Sequence, residues 1–141
     1  FHVTLYAFVT MSRRRDMRSP DEQRLAYSIH CENLRSTLQR LVDTDFEIIL
    51  DTVLRDEVEL QACLEVLSAR PLYLVGVQAP LDTLEHRESL RQGRATGMAR
   101  EQLGNPAFTR PYDVVVDTST CTPQEGAAVI RRFMEGGCRT L

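Results

Sequence analysis

A three-layer α/β sandwich with a mostly parallel sheet, in a single domain over residues 1–141, is the fold class this sequence predicts. Three observations predict it. Short runs of strand-forming apolar residues recur at 46–51, 72–77 and 112–117. Clear helix-start signals stand before, between and after them. A polar side chain closes each run: Asp51, Gln78, and Asp117 with Thr118. All-apolar strands alternating with capped helices mark a parallel sheet covered on both faces. Right-handed crossovers then bring all strand carboxyl ends to one edge, where ligands bind.

Residues 1–9 form an apolar run rich in strand formers and read as the first strand. Residues 12–19 are polar and arginine-rich and read as a loop. Ser19-Pro20-Asp21-Glu22 opens a helix: serine caps, proline takes the first helical position, and Glu22 completes a capping box. Leu25, Ile29, Leu34, Leu38 and Leu41 recur at helical spacing, so they predict one buried face. The strand at 46–51 ends in Asp51. Asp56 starts the next helix, with Leu60, Leu64 and Leu67 on its inner side. Pro71 precedes the strand at 72–77, and Pro80 opens a helix carrying Arg87, Arg91, Arg94 and Arg100. After the strand at 112–117, Thr122-Pro123-Gln124-Glu125 is a second capping box, and Gly136-Gly137 stops the last helix.

Bulk composition narrows the function. The hydrophobic share of 43% and charged share of 26% are those of an ordinary globular domain with a real core. Seventeen basic against 20 acidic residues leave a net charge of −3, a poor footprint for a nucleic-acid binder. No apolar run is long enough for a membrane span, and no signal-peptide pattern opens the chain. Cys31, Cys63, Cys121 and Cys138 are scattered, with no CxxC pair and no shared spacing with histidine. They read as reduced thiols of a cytoplasmic protein rather than a disulfide framework or a metal site.

The arginine segment carries the most chemistry. Arg87, Arg91 and Arg94 stand at i, i+4 and i+7, one face of a helix. A solvated helix would place an acid four residues before each, but Thr83, Arg87 and Leu90 stand there and only Glu88 compensates locally. Such a face repels itself unless an anion meets it, and guanidinium grips phosphate oxygens in pairs. Gly93 and Gly97 would let the segment bend. The competing reading is a plain surface helix in a chain whose 17 basic residues are all arginine. Asp51 can hold Mg²⁺ or orient a hydroxyl, or it can be a loop aspartate. Asp117-Thr118-Ser119 can touch a nucleotide base or only make a turn. Arg13-Arg14-Arg15 reads as a solvated loop. His30 and His86 have no serine or cysteine partner at a recognisable spacing and read as surface or packing residues. No GxSxG, HExxH or GxGxxG occurs.

Several short elements then agree at once. Val75-Gly76-Val77, Arg87-Glu88, Arg91-Gln92-Gly93-Arg94, Gly97-Met98-Ala99-Arg100-Glu101-Gln102, Tyr112-Asp113 and Val116-Asp117-Thr118 follow in order. This series resembles the chloramphenicol phosphotransferase-like family of P-loop kinases. The family pattern is a VGV strand, an RE pair, an RGDR-like lid, a GxAxxQ helix and a YDxxVDT strand. The likeness covers roughly the last half of the chain, and Pro123-Gln124-Glu125 also fits. More weakly, residues 46–51 resemble the family's second acidic strand. Residues 1–9 resemble the segment bearing its catalytic aspartate, which aligns with Tyr6. A phenol keeps its proton at neutral pH and serves poorly as that base. The family's first strand, lysine-bearing phosphate loop and first helix have no counterpart in residues 1–141. That strand lies mid-sheet in such kinases, so the strands ending at Asp51 and Val77 are expected to lack a neighbour between them unless it comes from sequence before Phe1 or from another chain, or residues 1–9 fill the gap in a different topology.

The resemblance implies ATP-dependent O-phosphotransfer, with Mg²⁺, to a small-molecule hydroxyl such as an antibiotic-type, chloramphenicol-like alcohol. It implies catalytic roles for Asp51, Arg91 and Arg94, nucleotide contacts from Arg87, Arg91, Arg94, Thr118 and Ser119, and the metal at Asp51. A rival reading is a non-catalytic binding or regulatory protein derived from such kinases. A third is an interaction protein, or homo-oligomer, that pairs through an open sheet edge.

Overall fold

A computed structural model describes residues 1–12, 19–53, 57–91, 96–105 and 110–136. Arg13, Arg14 and Arg15, the helix start at Asp56, Gly93, Arg94 and Cys138 lie outside the described residues. The fold is mixed α/β with short parallel strand pairs. The chain divides into two compact units, Phe1–Leu72 and Tyr73–Leu141.

In the first unit the apolar run at 1–9 is not one strand. β1 covers His2–Thr4, and α1 (Leu5–Val9) follows at once. Thr4 makes the switch. Its extended backbone ends the strand, and its hydroxyl accepts the N–H of Tyr6 at 3.3 Å as an N-cap. β2 covers Ile49–Asp51, shorter than the predicted 46–51, and pairs parallel with β1: His2 opposite Ile49, Val3 opposite Leu50, Thr4 opposite Asp51. Phe46 does other work, its ring meeting that of Phe1 edge-on at 5.2 Å and its carbonyl accepting from Arg70 at 2.7 Å.

α2 (Pro20–Val42) begins at the predicted capping box: the Ser19 hydroxyl accepts from Glu22 N–H, and the Glu22 carboxylate accepts from Ser19 N–H, both at 3.1 Å. Its buried face is shorter than the periodicity suggests. Leu34 and Leu38 are 0% exposed, whereas Leu25 is 64% and Ile29 46% exposed. The helices packed on it, α1 and α3 (Glu57–Leu67), have 5 and 11 residues against its 23, and burial starts only at His30. Val3, Leu5, Cys31, Leu34, Leu38, Val42, Cys63 and Leu67 form the core. Arg35 and Glu59 bridge α2 and α3 in a half-buried ion pair. Burial pushes the Cys63 thiol up to about 11, with Arg35 pulling the other way.

In the second unit β3 (Val75–Gln78) pairs parallel with β4 (Val114–Asp117), Val75 opposite Val114 through Gln78 opposite Asp117. A carboxylate pins the entry of this pair: Leu74 N–H donates to Asp113 Oδ2 at 2.6 Å, and Asp113 N–H donates back to Leu74 carbonyl at 2.9 Å. The Tyr112 ring lies over Gly76, where a Cβ would stand 2.9 Å from ring carbons. α6 (Pro123–Glu135) starts at the predicted Thr122–Glu125 capping box and lies close on β4 through Gly126, whose Cβ position is 2.9 Å from Val116 Cγ1.

The predicted arginine helix is two helices, α4 (Leu81–Ser89) and α5 (Met98–Leu103). α4 stops at its C-cap Leu90, so Arg91 lies past the helix and does not continue the i, i+4 face begun by Arg87. Among the described residues no helix is long and apolar enough to cross a membrane.

Candidate functional site

Each parallel pair sets its own two strand ends side by side, and Asp51, Gln78 and Asp117 stand at those ends. In Phe1–Leu72 the ends are Thr4 and Asp51. The Asp51 carboxylate is 72% exposed and lies 3.6 Å from His2 Nε2. Thr52 Oγ1, next along the chain, is buried and has no hydrogen-bond partner among the described residues. Tyr6 stands on α1, 72% exposed. Ser12 Oγ lies 2.8 Å from His30 Nε2, a serine partner that sequence spacing did not indicate.

In Tyr73–Leu141 the ends are Gln78 and Asp117, and a polar cluster grows from them. Thr118 extends the pairing, its N–H donating to Gln78 carbonyl at 2.8 Å and its hydroxyl to the same oxygen at 3.1 Å. Arg87 reaches from α4 and closes on Thr118 with both prongs: Nη1 donates to Oγ1 at 2.8 Å and Nη2 to the carbonyl at 2.7 Å. This fork is held by Thr118, which the i, i+4 reading did not anticipate. Ser119 turns back on Asp117, its N–H and hydroxyl donating to Oδ1 at 2.8 and 2.6 Å. The Ser119 hydroxyl, then its N–H, hold the Asp117 carboxyl below its ordinary range, and the nearby Arg87 charge adds to the effect.

Two acids of α4 tie α5 to it. Glu85 accepts from Arg100 Nε at 3.0 Å and Nη2 at 2.8 Å. Glu88 accepts the backbone N–H groups of Gly97 and Ala99. Arg91 is exposed, and its N–H donates to Glu88 carbonyl at 3.0 Å. The structure therefore brings Arg87, Asp117, Thr118 and Ser119 together. Asp51 belongs to the other unit, and Arg94 lies outside the described residues. Sequence reasoning gave Glu88 only a charge-balancing role. The missed signal was an α5 start at Gly97, which has no side chain to cap with and so requires an acceptor from elsewhere.

Asp51 and Arg91, each within its own unit, carry groups of the kinds that Mg²⁺ and phosphate take. Asp51 offers an exposed hard carboxylate, and Mg²⁺ in phosphate sites takes only one or two of these beside water and phosphate. Arg91 offers an exposed guanidinium. No group of three or more His, Cys, Asp and Glu among the described residues could hold a metal by itself. An open groove in the first unit, lined by Arg35, Ser36, Gln39, Arg40 and Val66, contains none of the predicted site residues.

The family model described as chloramphenicol phosphotransferase-like protein matches residues 10–135. No curated protein matches the chain.

Proposed function

The chain belongs to the chloramphenicol phosphotransferase-like family, and from that membership we propose that it is an ATP-dependent O-phosphotransferase acting on a small alcohol of the antibiotic, chloramphenicol-like type. The observation that carries this reading is the reach of the match, which runs through both the arginine segment and the strand ending at Asp117. The proposal includes the three-layer sandwich with a mostly parallel sheet, as a single P-loop-type domain over residues 1–141. What supports it is the pairing within each unit: both ladders among the described residues are parallel. Family membership supports a small-molecule substrate, and the net charge of −3 and scattered cysteines support a cytoplasmic protein with no nucleic-acid or membrane partner.

Bound Mg·ATP supplies the transferable phosphoryl group and the cation that offsets its charge. In this reading Arg91 and Arg94 neutralise the transferring phosphate, and Asp51 holds the metal or orients the acceptor hydroxyl. Thr118 and Ser119 line the nucleotide. Arg87 serves the nucleotide through Thr118, since its fork already closes on that residue. The test is a thermal-shift titration of the full-length protein with Mg·ATP, followed by radiolabelled phosphate transfer to chloramphenicol and related alcohols. A rise in melting temperature with Mg·ATP and labelled product are expected. Arg91→Ala should cut transfer at least about tenfold, the scale of a lost charge-assisted contact to phosphate. Absence of any ATP-dependent shift would remove the reading.

One observation favours a non-catalytic nucleotide binder instead: Tyr6, aligned with the family's base, stands exposed on a helix. That protein would bind Mg·ATP without transferring phosphate, and Tyr6→Asp would be the variant to restore transfer.

A further inference from the structure

β1 and β2 turn alternate side chains to opposite faces. Val3 is buried and Leu50 packs with it on the core, whereas His2, Ile49 and Asp51 are exposed. The register sets His2 opposite Ile49 and Thr4 opposite Asp51, so His2 and Asp51 are diagonal neighbours on the outward face. There His2 Nε2 stands 3.6 Å from Asp51 Oδ2. That is too long for an N–H···O hydrogen bond, whose range ends at about 3.2 Å. Neither side chain makes a hydrogen bond elsewhere among the described residues. A ring nitrogen and a carboxylate oxygen thus converge without consuming each other. The spacing suits a shared ion. Zn²⁺ binds imidazole nitrogen at about 2.0–2.1 Å and carboxylate oxygen at about 2.0–2.2 Å, so two of its ligands at a tetrahedral angle lie roughly 3.4 Å apart. Octahedral Mg²⁺ holds oxygens at about 2.0–2.1 Å, which puts neighbouring ligands roughly 2.9 Å apart. The observed 3.6 Å is nearer the first. Donor chemistry agrees, since imidazole suits Zn²⁺ and several of its first-row neighbours whereas Mg²⁺ takes oxygen.

We infer that His2 and Asp51 together form a cation site of mixed nitrogen and oxygen ligands, which takes a Zn²⁺-like ion in preference to Mg²⁺. Two protein ligands leave the other coordination positions to water or phosphate oxygens, and the exposure of both side chains keeps those positions open. The inference rests on the phosphotransfer reading for placing a cation at Asp51, and deepens it by naming the second ligand.

The test titrates the full-length protein, without nucleotide, with Co²⁺ as a paramagnetic stand-in for Zn²⁺ and separately with Mg²⁺. Calorimetry reads the affinities and NMR reads the histidine rings. Co²⁺ should bind at least about tenfold more tightly than Mg²⁺, and should perturb the His2 ring before that of His86. His2→Ala should weaken Co²⁺ binding at least about tenfold, the lower end of what is lost even when a group behind a ligand is removed, and leave Mg²⁺ binding within about twofold. Asp51→Asn should weaken both ions. His2→Gln keeps a polar side chain on the strand and should lose Co²⁺ in the same way, so a folding defect in His2→Ala would not hide the answer. Equal weakening of Co²⁺ and Mg²⁺ in both His2 variants would overturn the inference, because His2 would then only support Asp51. So would Co²⁺ binding that survives loss of the imidazole, or that perturbs His86 as strongly as His2, the mark of an adventitious ion only. If Asp51→Asn leaves both ions bound as before, the cation is not at Asp51 and the inference falls with that assignment. The Mg·ATP shift and the transfer assay are read separately, so a protein that binds Co²⁺ through His2 but does not bind ATP loses the phosphotransfer reading and keeps this site.

Discussion

Between Phe1 and Leu72 the interior is made of apolar side chains. Leu34 and Leu38 are fully buried beside Cys31 and Cys63, and two helices close over them. Between Tyr73 and Leu141 the buried apolar residues are Ala79 and Val116, among those described. Polar ties do the joining there: Asp113 to Leu74, Arg87 to Thr118, Glu88 to Gly97 and Ala99. Non-directional burial tolerates variation in position, whereas a hydrogen bond fixes a distance and an angle. The region with the directed bonds is the one that carries the proposed nucleotide contacts. Precise placement of a few polar groups, rather than a large core, is what a site of this kind needs.

The comparison can be broken most forcefully in the first unit. Leu34→Ala should destabilise by about 2–5 kcal/mol, the range for emptying a packed leucine site. Urea unfolding would measure it, and a loss below about 1 kcal/mol would show that the apolar core is not what holds this region. A middle-sized effect is expected at the polar tie in the second unit. Arg87→Lys keeps the charge but loses the fork to Thr118, at a cost of about 1–3 kcal/mol. The urea midpoint and the exchange rate of the Thr118 amide would report it, and a midpoint equal to the parent's would deny Arg87 its structural part.

The smallest effect sharpens the polar side of the contrast. The Asp117 carboxyl is held low chiefly by Ser119. A depressed folded-state value means that its contribution is present above the unfolded carboxyl range and is lost as pH falls through the folded value. Ser119→Ala removes the hydroxyl bond and leaves the N–H bond, so the Asp117 titration midpoint should move up toward the ordinary range. A carboxyl-detected NMR titration would follow it, and an unmoved midpoint would assign the shift to the Ser119 N–H and Arg87 instead of the hydroxyl.

Part of this was legible in the sequence because it is local. Both capping boxes link residues three apart, so Ser19 with Glu22 and Thr122 with Glu125 could be read directly, and both form. The alternation of strands and helices followed from apolar runs and their punctuation, except that α1 and the break between α4 and α5 were not read. Strand length was less legible: Thr4 carries strand-forming chemistry and helix-capping chemistry in one side chain, and the cap prevailed. The polar cluster at Asp117 was visible as residue types but not as partners.

By itself the sequence determined where α2 and α6 begin and that Asp51, Gln78 and Asp117 close strands. Those outcomes depend on neighbours within a turn or two, whose chemistry the chain spells out consecutively. Only the tertiary structure decided that Leu34 is covered while Leu25 is not, that Arg87 closes on Thr118 31 residues away, and that Glu88 reaches Gly97. Each of these depends on where the chain returns, and a side chain with several equally good partners takes the one that packing brings within about 3 Å.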